Sequence, residues 1–247
     1  MQPRRLKFSF DLVSDLYLDH WSKPIEWQGL PTSLIGVVAG DLSADLDRTI
    51  HELGKIAKNY RHVIYIDGDL EHEADLSLVN SNRNYLYRKL QNTNINYLYE
   101  KIVIINGVAF VGANLWWCPG DQSTAISDDH WFTDMQLLTL HHRDLSWLRS
   151  AIQSLQNRSD VAKIVVVSHT VPNTELIWSQ HNVDTAAVDA SDYVELEDIN
   201  NKISHWCFGH WPRNIDYSVN NCHYVSNPKG KPQDHLGFEY FPMRVEI

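Results

Sequence analysis

Cysteine is scarce in this sequence and shows no pairing pattern. The three cysteines, Cys118, Cys207 and Cys222, lie far apart, and no C-x-x-C motif occurs. A disulfide framework needs an even set of cysteines, so the sequence predicts a fold that does not depend on disulfides. This scarcity is typical of a reducing compartment, and we expect the protein to be cytoplasmic.

Long apolar runs and basic clusters are also missing. No stretch approaches the roughly 20 apolar residues of a transmembrane helix, and the N-terminus lacks a secretory signal pattern, which argues against a membrane partner. Lys and Arg number 21 against 31 Asp and Glu, and the net charge is -10. The basic cluster at residues 3–7 is short. Because nucleic-acid binding needs a basic surface, the charge argues against nucleic acid as a partner.

The chain is long enough for one sizeable core, and no linker, repeat or low-complexity tract divides it. Its 247 residues are 43% hydrophobic, and we interpret 1–247 as a single domain. Alternating apolar runs and amphipathic segments predict two sheets covered by helices. The predicted strands are 6–13, 34–39, 63–66, 95–98, 102–105, 108–111, 164–167 and 206–208, with a hairpin at 215–225 and a last strand within 238–247. The predicted helices are 44–60, 76–90, 137–155 and 194–202, and 112–131 is predicted to be a loop.

Five of the predicted strands are each followed by a residue that could bind a metal ion. These residues are Asp15, Asp41, Asp69, His169 and His210. One such residue alone is usually a cap or turn residue, but five in succession predict a metal site at the strand ends. Carboxylate and imidazole donors together favour Mn²⁺, Fe or Zn²⁺ over Ca²⁺.

The order of these residues resembles the calcineurin-like metallophosphoesterases, whose motifs are D-x-H, G-D, G-N-H, H and G-H-x-H. Two later segments strengthen the resemblance: Gly112-Ala113-Asn114-Leu115-Trp116 is similar to G-A-x-L-W, and Asn227-Pro228-Lys229-Gly230 is similar to N-P-(R/K)-G. The resemblance spans residues 8–230. It implies a four-layer α-β-β-α sandwich of two mixed sheets, and metal-dependent hydrolysis of a phosphomonoester or phosphodiester in a small phosphorylated substrate.

The resemblance also implies that one half of a two-metal site is intact and the other degraded. Asp41 corresponds to the bridging, catalytic carboxylate, and the retained metal would be completed by Asp69, His169 and His210. The degraded half retains Asp15, whereas Tyr17 and Pro212 replace two histidines. A neutral tyrosine is a poor ligand and proline has no side-chain donor. We therefore expect about one tightly held divalent transition metal ion per chain.

Several residues have two possible interpretations. Leu70 replaces the catalytic histidine of the family. His72 is either its substitute as proton donor or a solvent-facing loop residue. His20 or Asp19 could fill the degraded half-site. Trp116 and Trp117 are candidates for the substrate loop, although buried anchors are the commoner role of tryptophan.

Two functions remain open at this point. One is a metal-dependent phosphoesterase with weak or unusual activity, which the five persisting ligand-type residues favour. The alternative is a catalytically weak or inactive relative that serves as a binding or assembly module, with a protein as its partner. The sequence does not identify the substrate, because fold alone does not choose one.

Overall fold

The computed structural model describes residues 8–22, 31–117, 128–173, 175–177, 201–234 and 240–247, without the side chains of 128–133. In chain order the strands are β1 (Ser9–Val13), β2 (Ile35–Ala39), β3 (His62–Ile66), β4 (Ile95–Tyr97), β5 (Val103–Ile105), β6 (Val108–Ala113), β7 (Lys163–Ser168), β8 (Ile203–Phe208), β9 (Ile215–Val219), β10 (Cys222–Ser226) and β11 (Met243–Glu246). The main helices are α1 (Leu46–Ala57), α2 (Val79–Leu90) and α3 (Asp128–Leu155).

The described strands form two mixed sheets. The first has the order β11-β1-β2-β3-β4, in which β11 is antiparallel and the other neighbours are parallel. The second has the order β5-β6-β7-β8-β10-β9, with antiparallel strands at both edges and a parallel centre. The parallel strands of both sheets require crossover connections, which α1, α2 and α3 supply in part.

Three apolar layers hold the sheets and helices together. The middle layer lies between the sheets and includes Phe10, Val37 and Phe110. The outer layers lie between the first sheet and α1 and α2, and between the second sheet and α3. The result is the four-layer α-β-β-α sandwich of two mixed sheets that the sequence predicted. None of the described helices has the length and apolarity to cross a membrane.

Most predicted elements are confirmed within a few residues, but two differ. The predicted loop at 112–131 is too long, because β6 continues to Ala113 and α3 begins at Asp128. The predicted helix at 194–202 falls mostly outside the described residues, and 201–202 form a turn. The hairpin turn between β5 and β6 is confirmed: Asn106 and Gly107 have φ values of 50° and 84°, as a two-residue turn of this kind requires.

The carboxyl ends of the central parallel strands face a common cleft. The loops that follow β1, β2 and β3 meet there with the loops that follow β7 and β8. The contact is direct, because the Nδ1 of His169, after β7, donates a hydrogen bond of 2.8 Å to the carbonyl of Ala39, at the end of β2. The fold therefore brings the predicted strand-end residues of both sheets to one place.

Candidate metal centre

The first cluster of donor atoms comprises Asp69, His169 and His210. The Oδ1 of Asp69 lies 2.9 Å from the Nε2 of His169 and 3.0 Å from the Nδ1 of His210. The two imidazole rings are 5.3 Å apart and nearly perpendicular. One atom from each residue lies within 4.8 Å of the others, which is a spacing that a single metal ion could bridge.

The orientation of His169 suits it to metal binding. Its Nδ1 is used in the bond to the Ala39 carbonyl, so the proton lies on that nitrogen. Its Nε2 is thereby left to face the carboxylates of Asp69 and Asp41, at 2.9 and 3.2 Å. A histidine ligand normally donates its other ring N–H to a carbonyl or carboxylate in this way.

The second cluster joins Asp15 and Asp41 to the same histidine, again with one donor atom from each residue within 4.8 Å. The Oδ1 of Asp15 accepts a 2.9 Å hydrogen bond from the His210 amide, and the Oδ1 of Asp41 accepts one of 3.0 Å from the Leu70 amide. Their Oδ2 atoms are buried and accept no hydrogen bond from the described residues. Buried carboxylate oxygens without a partner are costly, so this donor set fits a divalent transition metal ion.

Local backbone geometry explains why glycines precede the candidate ligands. Gly40 has a φ of 84°, and a Cβ there would lie 2.5 Å from the His169 ring. A Cβ on Gly68 would lie 2.0 Å from the Asp41 carboxylate. Asp41 and His210 themselves have positive φ values of 56° and 66°, and such strain in non-glycine residues is concentrated at functional sites.

Glu71 belongs to the site although the sequence analysis did not single it out. Its Oε2 accepts hydrogen bonds from the amides of Gly68 and Asp41, at 2.9 and 3.2 Å, and its Oε1 accepts one of 2.9 Å from Leu42. The side chain therefore joins the loops after β2 and β3. Burial and the charge of Asp41 raise the pKa of Glu71 to about 8. Its one sequence signal is its place two residues after Asp69.

Tyr17 lies beside Asp15 and Asp41, at the position where the metallophosphoesterases that the sequence resembles have a histidine. Burial raises its pKa far above the usual value, and the negative charges of Asp41, Asp15 and Asp69 raise it further. The phenol is therefore neutral and lies beside the carboxylates. Its ring meets the His20 ring edge-on at 5.7 Å.

The residues considered as replacements do not enter this half-site. Asp19 accepts hydrogen bonds from the Ser43 hydroxyl at 2.9 Å and the Ala44 amide at 2.8 Å, and forms a 2.8 Å ion pair with Arg48. It therefore supports the start of α1. His20 is exposed and not part of either donor cluster. Pro212, on the loop after β8, is partly buried and supplies no donor.

The structure corrects the interpretation of His72. The residue is buried, so it is not a solvent-facing loop residue. Its Nε2 donates to Asp67 at 2.8 Å, its Nδ1 lies 3.3 Å from the Asn82 amide nitrogen, and its ring packs against Trp116. His72 ends a short 3-10 turn at Leu70–His72, and its contact with Asn82 places the ring against α2. Both ring nitrogens have hydrogen-bond partners in the fold, so the role of proton donor that the sequence suggested would require one of these contacts to break.

The two tryptophans of the expected substrate loop have different environments. Trp116 is fully buried and packs against Val79, Leu137 and Leu140, so it presents no surface to a substrate. Trp117 is partly buried and stacks on His210, with ring centres 5.5 Å apart and 23° between the planes. Of the two, only Trp117 lies beside the donor cluster.

Burial and neighbouring charges shift the pKa values of the site residues in opposite directions when no metal ion is bound. Burial raises the pKa of Asp15 to about 7. For Asp69, hydrogen bonds from the two histidines outweigh burial and lower the pKa well below its usual range. Burial would lower the pKa of His169, but the charge of Asp41 and hydrogen bonds to Asp41 and Asp69 raise it well above its usual value. The site thus holds protons tightly, and a bound cation would replace these protons and balance the negative charge of the carboxylates.

We expect the metal-free protein to lose stability as the pH rises from 6.5 to 8. Asp15 and Glu71 have raised folded-state pKa values of about 7 and about 8, so the folded state binds protons more tightly than the unfolded state. Each such group lowers the stability by at most about 1.4 kcal/mol per pH unit, or about 3–6 °C in Tm, and this loss ends as the pH passes its folded-state pKa, so Glu71 contributes more than Asp15 in this range. His205, whose pKa is lowered to about 4, has the opposite effect on stability, but it acts mainly below pH 6.5.

Thermal unfolding in EDTA, followed by circular dichroism, measures this dependence. Mn²⁺ should raise the Tm more at pH 8 than at pH 6.5, because the ion binds the deprotonated groups. A Tm that is constant or rises over this range without metal would contradict the pKa directions given above.

Comparison with known proteins supports the fold. Neither a protein-family model nor a curated protein matches the sequence. The crystal structure of phosphopantetheinyl hydrolase (PptH) from Mycobacterium tuberculosis is similar, with a TM-score of 0.69 and 14% identity over 97% of this chain and 96% of that chain. A putative 5'-nucleotidase from Staphylococcus aureus, in complex with α-ketoglutarate, has a TM-score of 0.51 and 14% identity over 90% of this chain and 48% of that chain. The chain therefore has a metallophosphoesterase-like sandwich fold.

Proposed function

We propose that this protein is a metal-dependent phosphoesterase that holds one divalent transition metal ion, Mn, Fe or Zn. The ligands are Asp41, Asp69, His169 and His210, and Asp15 lies at the degraded half of the site. The observation that carries this proposal is the convergence of carboxylate and imidazole donors from both sheets in two groups that share His169, each with its donor atoms within 4.8 Å of one another.

The chain's own residues prepare the site for this chemistry. A bound divalent ion supplies an acidified water molecule and polarises a phosphoryl oxygen. The Ala39 carbonyl fixes the ring of His169, and the Leu70 amide fixes the carboxylate of Asp41. Trp117 shields one face of His210 from water. Such prior orientation lowers the cost of reorganisation during the reaction.

A small phosphorylated molecule is the substrate class that we propose. The proteins with similar structures are named as a phosphopantetheinyl hydrolase and a putative 5'-nucleotidase, and both names refer to compounds that carry a phosphate group. The net charge of -10 argues against a polymeric nucleic acid as substrate.

Metal titration combined with an activity assay tests the proposal. Isothermal titration calorimetry of EDTA-treated protein with Mn²⁺ should give about one tight site per chain. The loaded protein should hydrolyse p-nitrophenyl phosphate or bis(p-nitrophenyl) phosphate, and chelation should stop the reaction. Absence of tight metal binding would contradict the proposal, and two tight sites would contradict the loss of the first half-site.

A second candidate function rests on the position of His72. Leu70 replaces the family's catalytic histidine, and His72 is buried against Asp67 and Asn82. Among the described residues, neither donor cluster contains an imidazole other than those of the proposed ligands His169 and His210. A chain that binds one metal ion tightly but hydrolyses neither phosphate ester would favour the binding or assembly module.

Restoring the degraded half-site should increase activity. We expect the double variant Tyr17→His with Pro212→His to bind a second Mn²⁺ ion and to hydrolyse bis(p-nitrophenyl) phosphate about a hundredfold faster, or about 3 kcal/mol. Tyr17 has a φ of 46°, which histidine tolerates better than most residues, so the first replacement should not strain the loop. Removal of Pro212 frees the backbone and reduces the gain.

The control for this experiment is Tyr17→Phe with Pro212→Ala, which alters the same positions without adding ligands. It should bind one ion and show no gain. If the histidine variant binds two ions without a gain in rate, the missing proton donor at Leu70 limits catalysis rather than the missing metal.

A further inference from the structure

Lys231 lies at the degraded half of the site because two loops pair there. The loop after β10 runs beside the loop after β1, with hydrogen bonds of 3.0 Å from the Lys229 amide to the Ser14 carbonyl and 2.9 Å from the Gly230 amide to the Asp15 carbonyl. This pairing places the next residue, Lys231, opposite Tyr17. The Nζ of Lys231 lies 4.6 Å from the centre of the Tyr17 ring.

The contacts of Lys231 leave its ammonium group able to bind an anion. Its backbone amide donates to the Asp234 carboxylate at 2.6 Å, while its Nζ rests on the aromatic face of Tyr17. Within the described residues no carboxylate forms an ion pair with this Nζ. A cation over an aromatic ring is held in place without losing its three N–H donors. The residue is only partly buried, so an incoming ligand has access.

Lys229 has a different role. It is 3% exposed, and its Nζ lies 4.3 Å from the centre of the Trp21 ring and 5.8 Å from that of Tyr240. This side chain is enclosed by aromatic rings, whereas Lys231 borders the cleft. The two neighbouring lysines are therefore not equivalent, and the cleft-side cation is Lys231.

The negative charge of the carboxyl groups around the cleft favours a cation at the position of Lys231. Four carboxyl groups surround the cleft, from Asp15, Asp41, Asp69 and Glu71. One divalent ion carries two positive charges, and a phosphate ester brings up to two further negative charges. Like charges at short distance in a partly buried site repel strongly, so a second cation would strengthen the binding of a phosphate.

Resting on the function proposed above, we infer that Lys231 binds the phosphate group of the substrate and takes the place of the first metal ion of two-metal relatives. Tyr17, which replaces the histidine of the resembled family, then has a role of its own, because its aromatic ring is the platform on which the ammonium group of Lys231 rests. The ligand class is a phosphate monoester or diester, whose oxygens are bound by one metal ion on one side and Lys231 on the other.

Binding of inorganic phosphate to the Mn²⁺-loaded protein tests this inference by calorimetry. Lys231→Met should weaken phosphate binding about 10- to 100-fold, because it removes a charged hydrogen-bond donor. Its affinity for Mn²⁺ should remain within about threefold of the parent. Lys231→Arg should retain most of the phosphate affinity. Tyr17→Phe keeps the platform and should bind phosphate like the parent, whereas Tyr17→Leu should resemble Lys231→Met.

The matched control is Lys58→Met, which changes the net charge equally at an exposed position. Lys58 caps the carboxyl end of α1, shortly before β3 begins at His62. It therefore lies near the amino ends of the parallel strands, whereas the cleft lies at their carboxyl ends. It should leave phosphate binding unchanged. Equal losses in both lysine variants, unchanged phosphate binding in Lys231→Met, or loss of Mn²⁺ binding in that variant would each overturn the inference. Failure of the parent protein to bind Mn²⁺ would instead overturn the proposed function.

Discussion

Asp41→Asn should abolish tight Mn²⁺ binding and lower kcat/KM for phosphate-ester hydrolysis at least about a thousandfold, or about 4 kcal/mol. The Oδ1 of Asp41 lies 3.2 Å from the Nε2 of His169, and its Oδ2 is buried without a hydrogen-bond partner among the described residues. The amide of asparagine keeps the shape of the side chain but removes the charge. Calorimetric Mn²⁺ titration and the p-nitrophenyl ester assays measure the two effects.

Stability distinguishes this effect from simple unfolding. In EDTA at pH 8 the Tm of the Asp41→Asn variant should remain within a few degrees of that of the parent, because the loss of repulsion by Asp15 and Glu71 is offset by the loss of attraction to His169. Asp45→Ala is the matched control: it removes the N-cap of α1, which accepts from the amides of Asp47 and Arg48, and should cost about 1 kcal/mol without affecting metal binding. Retained metal binding in Asp41→Asn would remove Asp41 from the ligand set.

Arg83→Met should destabilise the fold by about 3–5 kcal/mol. The side chain of Arg83 is 2% exposed. Its Nε donates to Asp67 at 2.9 Å, and its two terminal nitrogens donate to Asp144 at 3.2 and 3.1 Å. The substitution removes the cation that Asp67 and Asp144 share, and leaves Asp144 with only the longer 3.4 Å ion pair to Arg143 among the described residues. Arg83 thereby joins the loop after β3 to α3. Urea unfolding followed by tryptophan fluorescence measures the loss.

Arg88→Met is the matched control on the same helix. Arg88 is exposed, and its Nε donates to the Asn84 carbonyl at 3.3 Å. An exposed contact of this kind is worth little, so we expect a change within about 0.5 kcal/mol. Similar losses in both variants would mean that Arg83 stabilises only as a helix residue and not through its ion pairs.

The sequence predicted the fold well because its local signals agree with one another. Apolar runs alternate with amphipathic segments, and the Asn106-Gly107 turn has the backbone that its residues favour. The candidate ligands follow strands, and the parallel strand ends of an α/β sheet meet at one edge. Those positions could therefore be predicted before any geometry was known.

Other features depend on tertiary contacts that no local pattern contains. The direction of His72 depends on Asp67 and on Asn82 in the next helix. The nearness of Lys231 to Tyr17 depends on backbone pairing between residues more than 200 positions apart. The start of α3 at Asp128 lies in a polar segment whose composition is typical of a loop, so the local preference did not predict it.

The hydrogen bond from His169 to Ala39 joins two parts of the chain that contribute different donor groups to the site. The carboxylates of the two donor clusters come from the part of the chain before β4, and the imidazoles come from the part after β7. A chain cut in the connection between β4 and β5 would thus yield one fragment with the acidic half and another with the histidine half. Neither fragment could form the mixed donor set alone. Metal uptake would then report the reassociation of the two fragments.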